Sequence, residues 1–487
     1  MRNSILQFSS RACWVWALLW TMTPGAQAQL GPVELSSEWG QAGWSNPAML
    51  HPSGSQIWLG GLAGAQVAVT HSGPALLDFS TLGGAVNPEL LIANMNPTEA
   101  VDVRSEVPLF GLALRDKNRF ELRLRSRFVA DQQFTYDRDL IELAWRGNGH
   151  PDVIGRPITL AGMGTNVQGY FDHGLSVGAM AKEDKLWLGW GIHILNGVGA
   201  FHTESFDATW TTDSVDYSWT LEGAADFQAA GVDLDSALSG GTLDLPGSDG
   251  GLPKILGAGV AFDFGLVYKP NEQFTVEAAM EGRGSIRWLK STSRAKVDPA
   301  VFVLQGLDVV NWLGDADMDL SSDSLESMLE TWGEEMLDSL EGAFEVQTGP
   351  EVVEAFNTPV QETWRVGFRY LPRPSMEFHV MGYRQFRFDQ SRDGVVIGFV
   401  HRLRGNVATQ VQAQLVEGRW SWGAGLSLRG GPLRMAFSAQ NIPGMLFPLE
   451  SGHWQGQFGI GLELGYRQDK KKSKRKNPLG TGKGMWH

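Results

Sequence analysis

Between Arg365 and Arg467 the chain repeats one pattern about seven times: short stretches alternate apolar with polar or tiny residues and end in turn residues. Val366-Gly367-Phe368-Arg369-Tyr370, Val407 to Leu415 and Phe458 to Tyr466 are examples. A period of two sends alternate side chains to opposite faces of a sheet. One face here is bulky and apolar, and the other is small, polar or charged. That is the pattern of a strand lying between lipid and a wet lumen. Upstream, the same reading predicts strands at 107–115, 119–129, 132–145, 168–181, 185–195, 206–221, 255–268 and 272–288. Val260-Ala261-Phe262-Asp263-Phe264-Gly265-Leu266 is a clear case, with large apolar residues on one face and Ala, Asp and Gly on the other.

After the first residues, no stretch holds the ~18 consecutive apolar residues that a membrane-spanning helix requires. A spanning chain without such helices must close its strands into a barrel, because open edges are not tolerated in hydrocarbon. The expected fold is therefore an all-β transmembrane antiparallel β-barrel. It has 14 strands if the N-terminal part folds inside as a plug, and 16 if 56–70 crosses the membrane. Loop lengths set the topology. The connections 371–375, 403–406 and 429–433 are short and 440–456 is long, which places both termini on the periplasmic side and 290–364 outside.

Export is the first requirement of such a protein. Arg2 and Arg11, the apolar run Ala12 to Trp20 and the small-residue site Ala26-Gln27-Ala28 read as a signal peptide over 1–28. The single cysteine, Cys13, falls inside it. A chain starting near Gln29 then has no disulfide, thiol chemistry or cysteine-bound metal. The expected organisation continues with 29–105 as a plug or first strand, 106–469 as the barrel, and 470–487 as a basic periplasmic tail. Glycine, 60 of 487 residues, is about 12% against a usual share of about 7%, which suits crowded, curved sheets.

Charge adds one feature. The net formal charge is −14, and removing Arg2 and Arg11 leaves −16. Residues 298–362 alone hold 16 Asp and Glu with no Lys or Arg. This acidic insertion, within 290–364, contains Leu325, Met328, Leu329, Trp332, Met336, Leu337, Leu340 and Phe344 at helical spacing. Asp315, Asp317, Asp319, Asp323 and Glu326 match the ligand spacing of a calcium-binding loop, but Leu320 stands where glycine allows the sharp turn. A solvated loop followed by a helix cap explains them as well.

No catalytic, cofactor-binding or metal-ligating residue is nominated, and the chain is not expected to be an enzyme. Ser293-Arg294-Ala295-Lys296 matches a nucleophile motif without its companion motifs. His173, His193, His379, His401 and His453 are dispersed and read as lumen or interface residues. Arg123, Arg125 and Arg127 share one strand face, with Glu277 and Glu281 as candidate partners. They form either a charged constriction that selects solutes or a set of ion pairs that stabilises the barrel.

Asn46-Pro47-Ala48, the segment Leu175 to Lys182, Gly284-Ser285-Ile286-Arg287-Trp288 and the closing Ser438 to Pro443 resemble the Bacteroidota outer-membrane family known as domain of unknown function 5723. The likeness runs over most of 45–467. It implies an outer-membrane barrel, distantly similar to FadL-like and PorV-like barrels, with no agreed functional residues. Two functions follow from it. One is a passive transporter or channel for small or hydrophobic molecules. The other is a docking protein that binds a partner through the acidic extracellular insertion. The expected partners are outer-membrane lipid and a small-molecule cargo, with no nucleic acid.

Overall fold

A computed structural model describes residues 42–50, 54–60, 64–74, 87–116, 119–232, 234, 253–304, 342, 347–349, 355–388, 390–403, 406–416, 419–441 and 453–464. The expected signal peptide over 1–28, the expected basic tail over 470–487, the Asp315 to Glu326 segment and nearly all of the expected helix from Leu325 to Phe344 lie outside these residues.

The strands, in chain order, are β1 (Ser55–Leu59), β2 (Ala65–His71), β3 (Thr98–Asp116), β4 (Phe120–Asp137), β5 (Ile158–Thr159), β6 (Gly164–Lys182) and β7 (Leu186–Thr212). Then follow β8 (Trp219–Ala230), β9 (Gly257–Tyr268), β10 (Phe274–Trp288), β11 (Thr292–Leu304), β12 (Gln347–Gly349), β13 (Phe356–Pro359) and β14 (Glu362–Arg373). The last six are β15 (Met376–Arg387), β16 (Gln390–Leu403), β17 (Val407–Val416), β18 (Arg419–Gly430), β19 (Leu433–Gln440) and β20 (His453–Leu464).

All the pairings are antiparallel. β1 and β2 lie end to end between β20 and β3, with Ser55 opposite Leu464 and Gln66 opposite both Gln457 and Glu106. This interrupted stave closes the barrel. β13 and β14 form another broken stave along β10. The barrel has 14 staves, and the alternative count of 16 is wrong. The 56–70 segment does join the wall, but two expected strands do not exist as such. The expected strands 119–129 and 132–145 merge into one strand, β4 (Phe120–Asp137), and Arg138–Arg146 is a helix rather than the end of a strand at 145. The segment 206–221 is the end of β7, a turn and the start of β8.

β8 and β11 form a second tier above the wall. β7 pairs with β9 up to Gly197, opposite Gly257, and from Ala200 onward it pairs with β8. β11 pairs with β8 as β10 pairs with β9. The tiers meet where Leu256 donates its backbone N–H to Gly197 (2.8 Å) and Gly231 donates to Ser291 (2.7 Å). Gly231 (φ 70°) and Ser291 (φ 49°) turn the chain there through the left-handed region. Leu195, Ala200, Ala230, Leu256, Ile286 and Trp288 pack into an apolar cluster beneath this joint. At the same rim, Arg146 binds Glu89, Glu142 and Asp152, tying helix Pro88–Ala93 to helix Arg138–Arg146. The Arg146 hydrogen bond holds the Glu89 carboxyl below its ordinary range.

Alternation decides what faces out. On β14, Trp364, Val366 and Phe368 are 45%, 64% and 41% exposed, whereas Arg365 and Arg369 are each 3% exposed. Val260, Phe262, Phe264 and Leu266 on β9 are likewise exposed, with Ala261 and Asp263 buried. The large apolar residues therefore cover the outside of the cylinder, and the charges fill it. Among the described residues, no helix is long and apolar enough to cross a membrane.

An exterior of this kind in lipid cannot accept charge. Phe368→Arg should cost about 2–4 kcal/mol for a site near the bilayer midplane, read by guanidinium unfolding from lipid vesicles. Phe368→Leu should stay within about 1.5 kcal/mol of the parent. Equal midpoints for the two variants would show that this face does not contact hydrocarbon.

Candidate functional site

The chain enters the lumen before it enters the wall. After the short helix Ala42–Ser45, the Asn46 carbonyl accepts from the Met49 N–H (2.9 Å) and the Asn46 side chain accepts from the Ala48 N–H (3.0 Å). Pro47 supplies the φ that the second position of such a turn needs, and Asn46 is suited to open it. The turn presses on bare backbone at Gly178, Gly189 and Gly265, from three neighbouring staves. A Cβ on Gly265 would stand 2.8 Å from the Ala48 nitrogen, and one on Gly178 would stand 2.9 Å from Leu50 and collide with the Pro47 carbonyl.

One side chain holds the turn. Arg123, 1% exposed, donates to the carbonyls of Gly43 (3.0 Å), Pro47 (3.0 Å) and Met49 (2.5 Å), and its Nε donates to Glu121 (2.7 Å). Arg125 adds a longer bond to the Trp44 carbonyl (3.4 Å), and Trp44 packs edge-on against Trp58 with ring centroids 5.1 Å apart. Arg123, Gly178, Gly189 and Gly265 all lie near the ends of their strands on the side where β1 begins and β20 finishes. The turn is thus a plug at that end of the lumen.

Farther in, the lumen is crossed by ion pairs. Arg127 binds Asp172 (2.8 Å) and Glu106, and Arg104 binds Glu106 (2.8 Å) and Asp131 (3.0 Å). His193 sits between Asp172 (2.6 Å) and Asp263 (2.7 Å), and Asp263 accepts from the Gly282 N–H (2.8 Å). Arg365 binds Glu281 (2.6 Å), and Arg369 bridges Glu277 (2.9 Å) and Glu377 (2.6 Å). Across from these, the amides of Gln410, Gln412 and Gln440 hydrogen-bond in series and end on Ser421. A cavity of about 60 Å³ remains between the ion pairs.

The sequence-based candidates divide clearly. Arg123, Arg125 and Arg127 do face inward on one strand. Arg125 lies 3.7 Å from Glu281, as expected, but Glu277 binds Arg369 instead. Arg123 pairs with its strand neighbour Glu121 rather than with Glu277 or Glu281, and its remaining donors go to the plug. His193 and His379 are buried in the lumen, whereas His173 and His401 lie on the outer face, stacked on Phe171 and Phe399. Ser293 and Lys296 do not engage each other, since Lys296 donates to Asp298 (2.6 Å). Sequence reasoning missed the glutamine series, although Gln410-Val411-Gln412-Ala413-Gln414 shows it plainly as a polar face.

A family described as a family of unknown function, DUF5723, matches residues 47–439. The chain belongs to this family. The matched span opens at Pro47 in the plug turn and ends at Ala439 on β19. Solved structures similar to the chain include a monoaromatic hydrocarbon channel, the TodX deltaS2S3 mutant (10% identity, 87% of this chain and 94% of that chain, TM-score 0.42). Others are the Ralstonia pickettii toluene transporter TbuX (11%, 89% and 97%, TM-score 0.40) and a Pseudomonas aeruginosa FadL homologue (10%, 91% and 97%, TM-score 0.38). Likenesses this loose carry nothing about cargo. No curated protein matches the chain.

The fit of plug to wall can be measured with one thiol. In a chain starting at Gln29, which has no native cysteine, Ala48→Cys should react slowly with a maleimide. Adding Gly189→Val should displace the turn and speed labelling by about tenfold or more, the factor corresponding to roughly 1.4 kcal/mol. Unchanged labelling would show that the turn does not rest on Gly189.

Proposed function

We propose that this protein is an outer-membrane transporter or channel for small molecules, with the Asn46 to Met49 turn as its periplasmic plug. The observation that carries this reading is how the plug is held. Hydrogen bonds from Arg123 and Arg125, contact with glycine backbone and packing of Ala48 against Trp187 and Val267 fix it, with no strand pairing to the wall among the described residues. Such an attachment can be released without opening the barrel seam, whereas removing any stave would expose two strand edges. The polar, ion-paired interior supports a water-compatible path. The apolar exterior supports the membrane location, and the short connections at the plugged end support a periplasmic orientation.

Swelling of liposomes in arabinose tests the reading. The chain 29–487 should admit the sugar slowly, and deletion of 29–50 should raise the rate while leaving all 14 staves in place. Paired replacement Glu121→Gln with Arg123→Gln, which removes the plug's donor without leaving a lone buried charge, should give an intermediate rate. Swelling no faster than empty liposomes for all three proteins would overturn the transport reading.

A further inference from the structure

Two arginines of β10 point out of the barrel rather than into it. Up to Met280 the outward side chains of this strand, Val276, Ala278 and Met280, are apolar and lie opposite Phe368, Val366 and Trp364 of β14. A bulge then interrupts the register between Met280 and Arg283, with Gly282 at φ 80°. Beyond it Arg283 stands opposite Phe262 and Arg287 opposite Ala258, both exposed on the outer face of β9. Directly opposed residues share a face, so Arg283, Ser285 and Arg287 also face outward. All three are exposed on that surface, Arg283 with 64% of its side chain.

Their height on the wall follows from strand geometry. β10 starts at Phe274, just after the polar turn Asn271 to Gln273 at the plugged end. Nine residues farther, on a strand tilted about 40°, Arg283 stands about 23 Å above Phe274, close to the ~25 Å height of the apolar band of such barrels. An outward arginine is costly at the bilayer midplane and nearly free at the interface. Trp364, opposite Met280, marks the same boundary, since its indole donates to Glu362 and tryptophan favours that level. Arg287 lies about 13 Å farther along the strand, among head groups rather than hydrocarbon.

The charge at this level is unbalanced. Among the described residues, Glu362 is the only carboxylate on the outward faces of β9, β10, β13 and β14. It lies 3.9 Å from Arg283 and also takes the Trp364 N–H. Lys290 donates its backbone N–H to the Leu256 carbonyl (3.1 Å), which brings it and Lys254, both exposed, to the joint just above. In the tier beyond, Asp226 and Asp298 are already paired with Arg294 and Lys296. Below the arginines, Phe262, Val260 and Ile194 form an exposed apolar strip across β9 and β7.

We propose that this face of β9 and β10 binds a phosphorylated glycolipid of the outer leaflet. Arg283 and Arg287 each take a phosphate, Ser285 between them takes a sugar hydroxyl, and acyl chains lie on Phe262, Val260 and Ile194. The leaflet rests on the periplasmic orientation of the plug given above, and the site does not depend on transport. Guanidinium forks match phosphate oxygens with two parallel donors. Two such forks about 13 Å apart suit a disaccharide phosphorylated at both ends better than a phospholipid with one phosphate.

Native mass spectrometry of the chain 29–487 in detergent, titrated with bisphosphorylated lipid A, tests the site. Lipid A should bind saturably, and its monophosphorylated form about tenfold more weakly, for loss of one charge-assisted contact. The double variant Arg283→Gln, Arg287→Gln should weaken lipid A by about tenfold or more. Arg119→Gln with Arg373→Gln, exposed arginines at the plugged end, should leave it unchanged. Heat-modifiable gel migration confirms that both variants are folded. Equal loss in the two variants, equal affinity for the two lipids, or displacement by inorganic phosphate at the lipid's own concentration would each overturn the site. So would binding gained only on deletion of 305–346, which would give the arginines to the chain's own acidic insertion. Orientation is read separately: Val215→Cys, 86% exposed in the upper tier, should react with an impermeant maleimide on intact cells. Labelling only after lysis would overturn the leaflet, whereas labelling from outside without lipid A binding would sink the site and leave the orientation standing.

Discussion

The whole architecture depends on the seam where β1 and β2 together join β20 to β3. A sheet whose outer face is apolar has no tolerable edge in hydrocarbon, because each unpaired backbone group there costs several kcal/mol. The seam is made by an interrupted stave, β1 and then β2, paired on one side to β20 and on the other to β3. The chain must therefore place its first strand and its last side by side. That leaves the residues before Ser55 at the mouth of the lumen, and this is where the Asn46 turn is found.

Closure also explains why so many charges survive inside. A lone ionised group in such a space would be expensive, but strands held at fixed spacing bring several of the arginines within reach of a carboxylate on a neighbouring stave. Arg365 and Glu281 sit on adjacent staves, β14 and β10, as do Arg127 on β4 and Asp172 on β6. Arg387 reaches farther, from β15 to Asp131 on β4. Ion pairs across the lumen therefore tie staves together that share no backbone hydrogen bonds.

Much of this is legible in the sequence. From β14 to β20 the period of two gives strand identity, facing and topology, because each strand is short, regular and bounded by a recognisable turn. β4 was divided at Ala130-Asp131 because a polar, small-residue stretch in mid-strand looks like a turn when the inward face is charged. The helix Arg138–Arg146 was missed because Asp137 gives a start signal weaker than the apolar alternation leading into it. The second tier was beyond reach for a different reason. The expected strand 206–221 only clips Trp219–Ala230, and Thr292–Leu304 falls in the expected helical insertion; their pairing above β9 and β10 is long-range and leaves no local mark. Arg123 could be assigned to the lumen from its face, yet its partners are carbonyl oxygens, which carry no mark in a sequence. The glycine cradle was hidden in the general excess of glycine, since nothing separates Gly178, Gly189 and Gly265 from the others until the turn is seen against them.

β7 has 27 residues and is the strand that belongs to both tiers. Fully extended it measures about 90 Å. Gly189, under the plug, lies near one of its ends, and Thr212, at the crown of the upper tier, is the other. A pull or tilt applied at the crown therefore has an unbroken covalent route to the seat of the plug, with His193 and its two aspartates along the way.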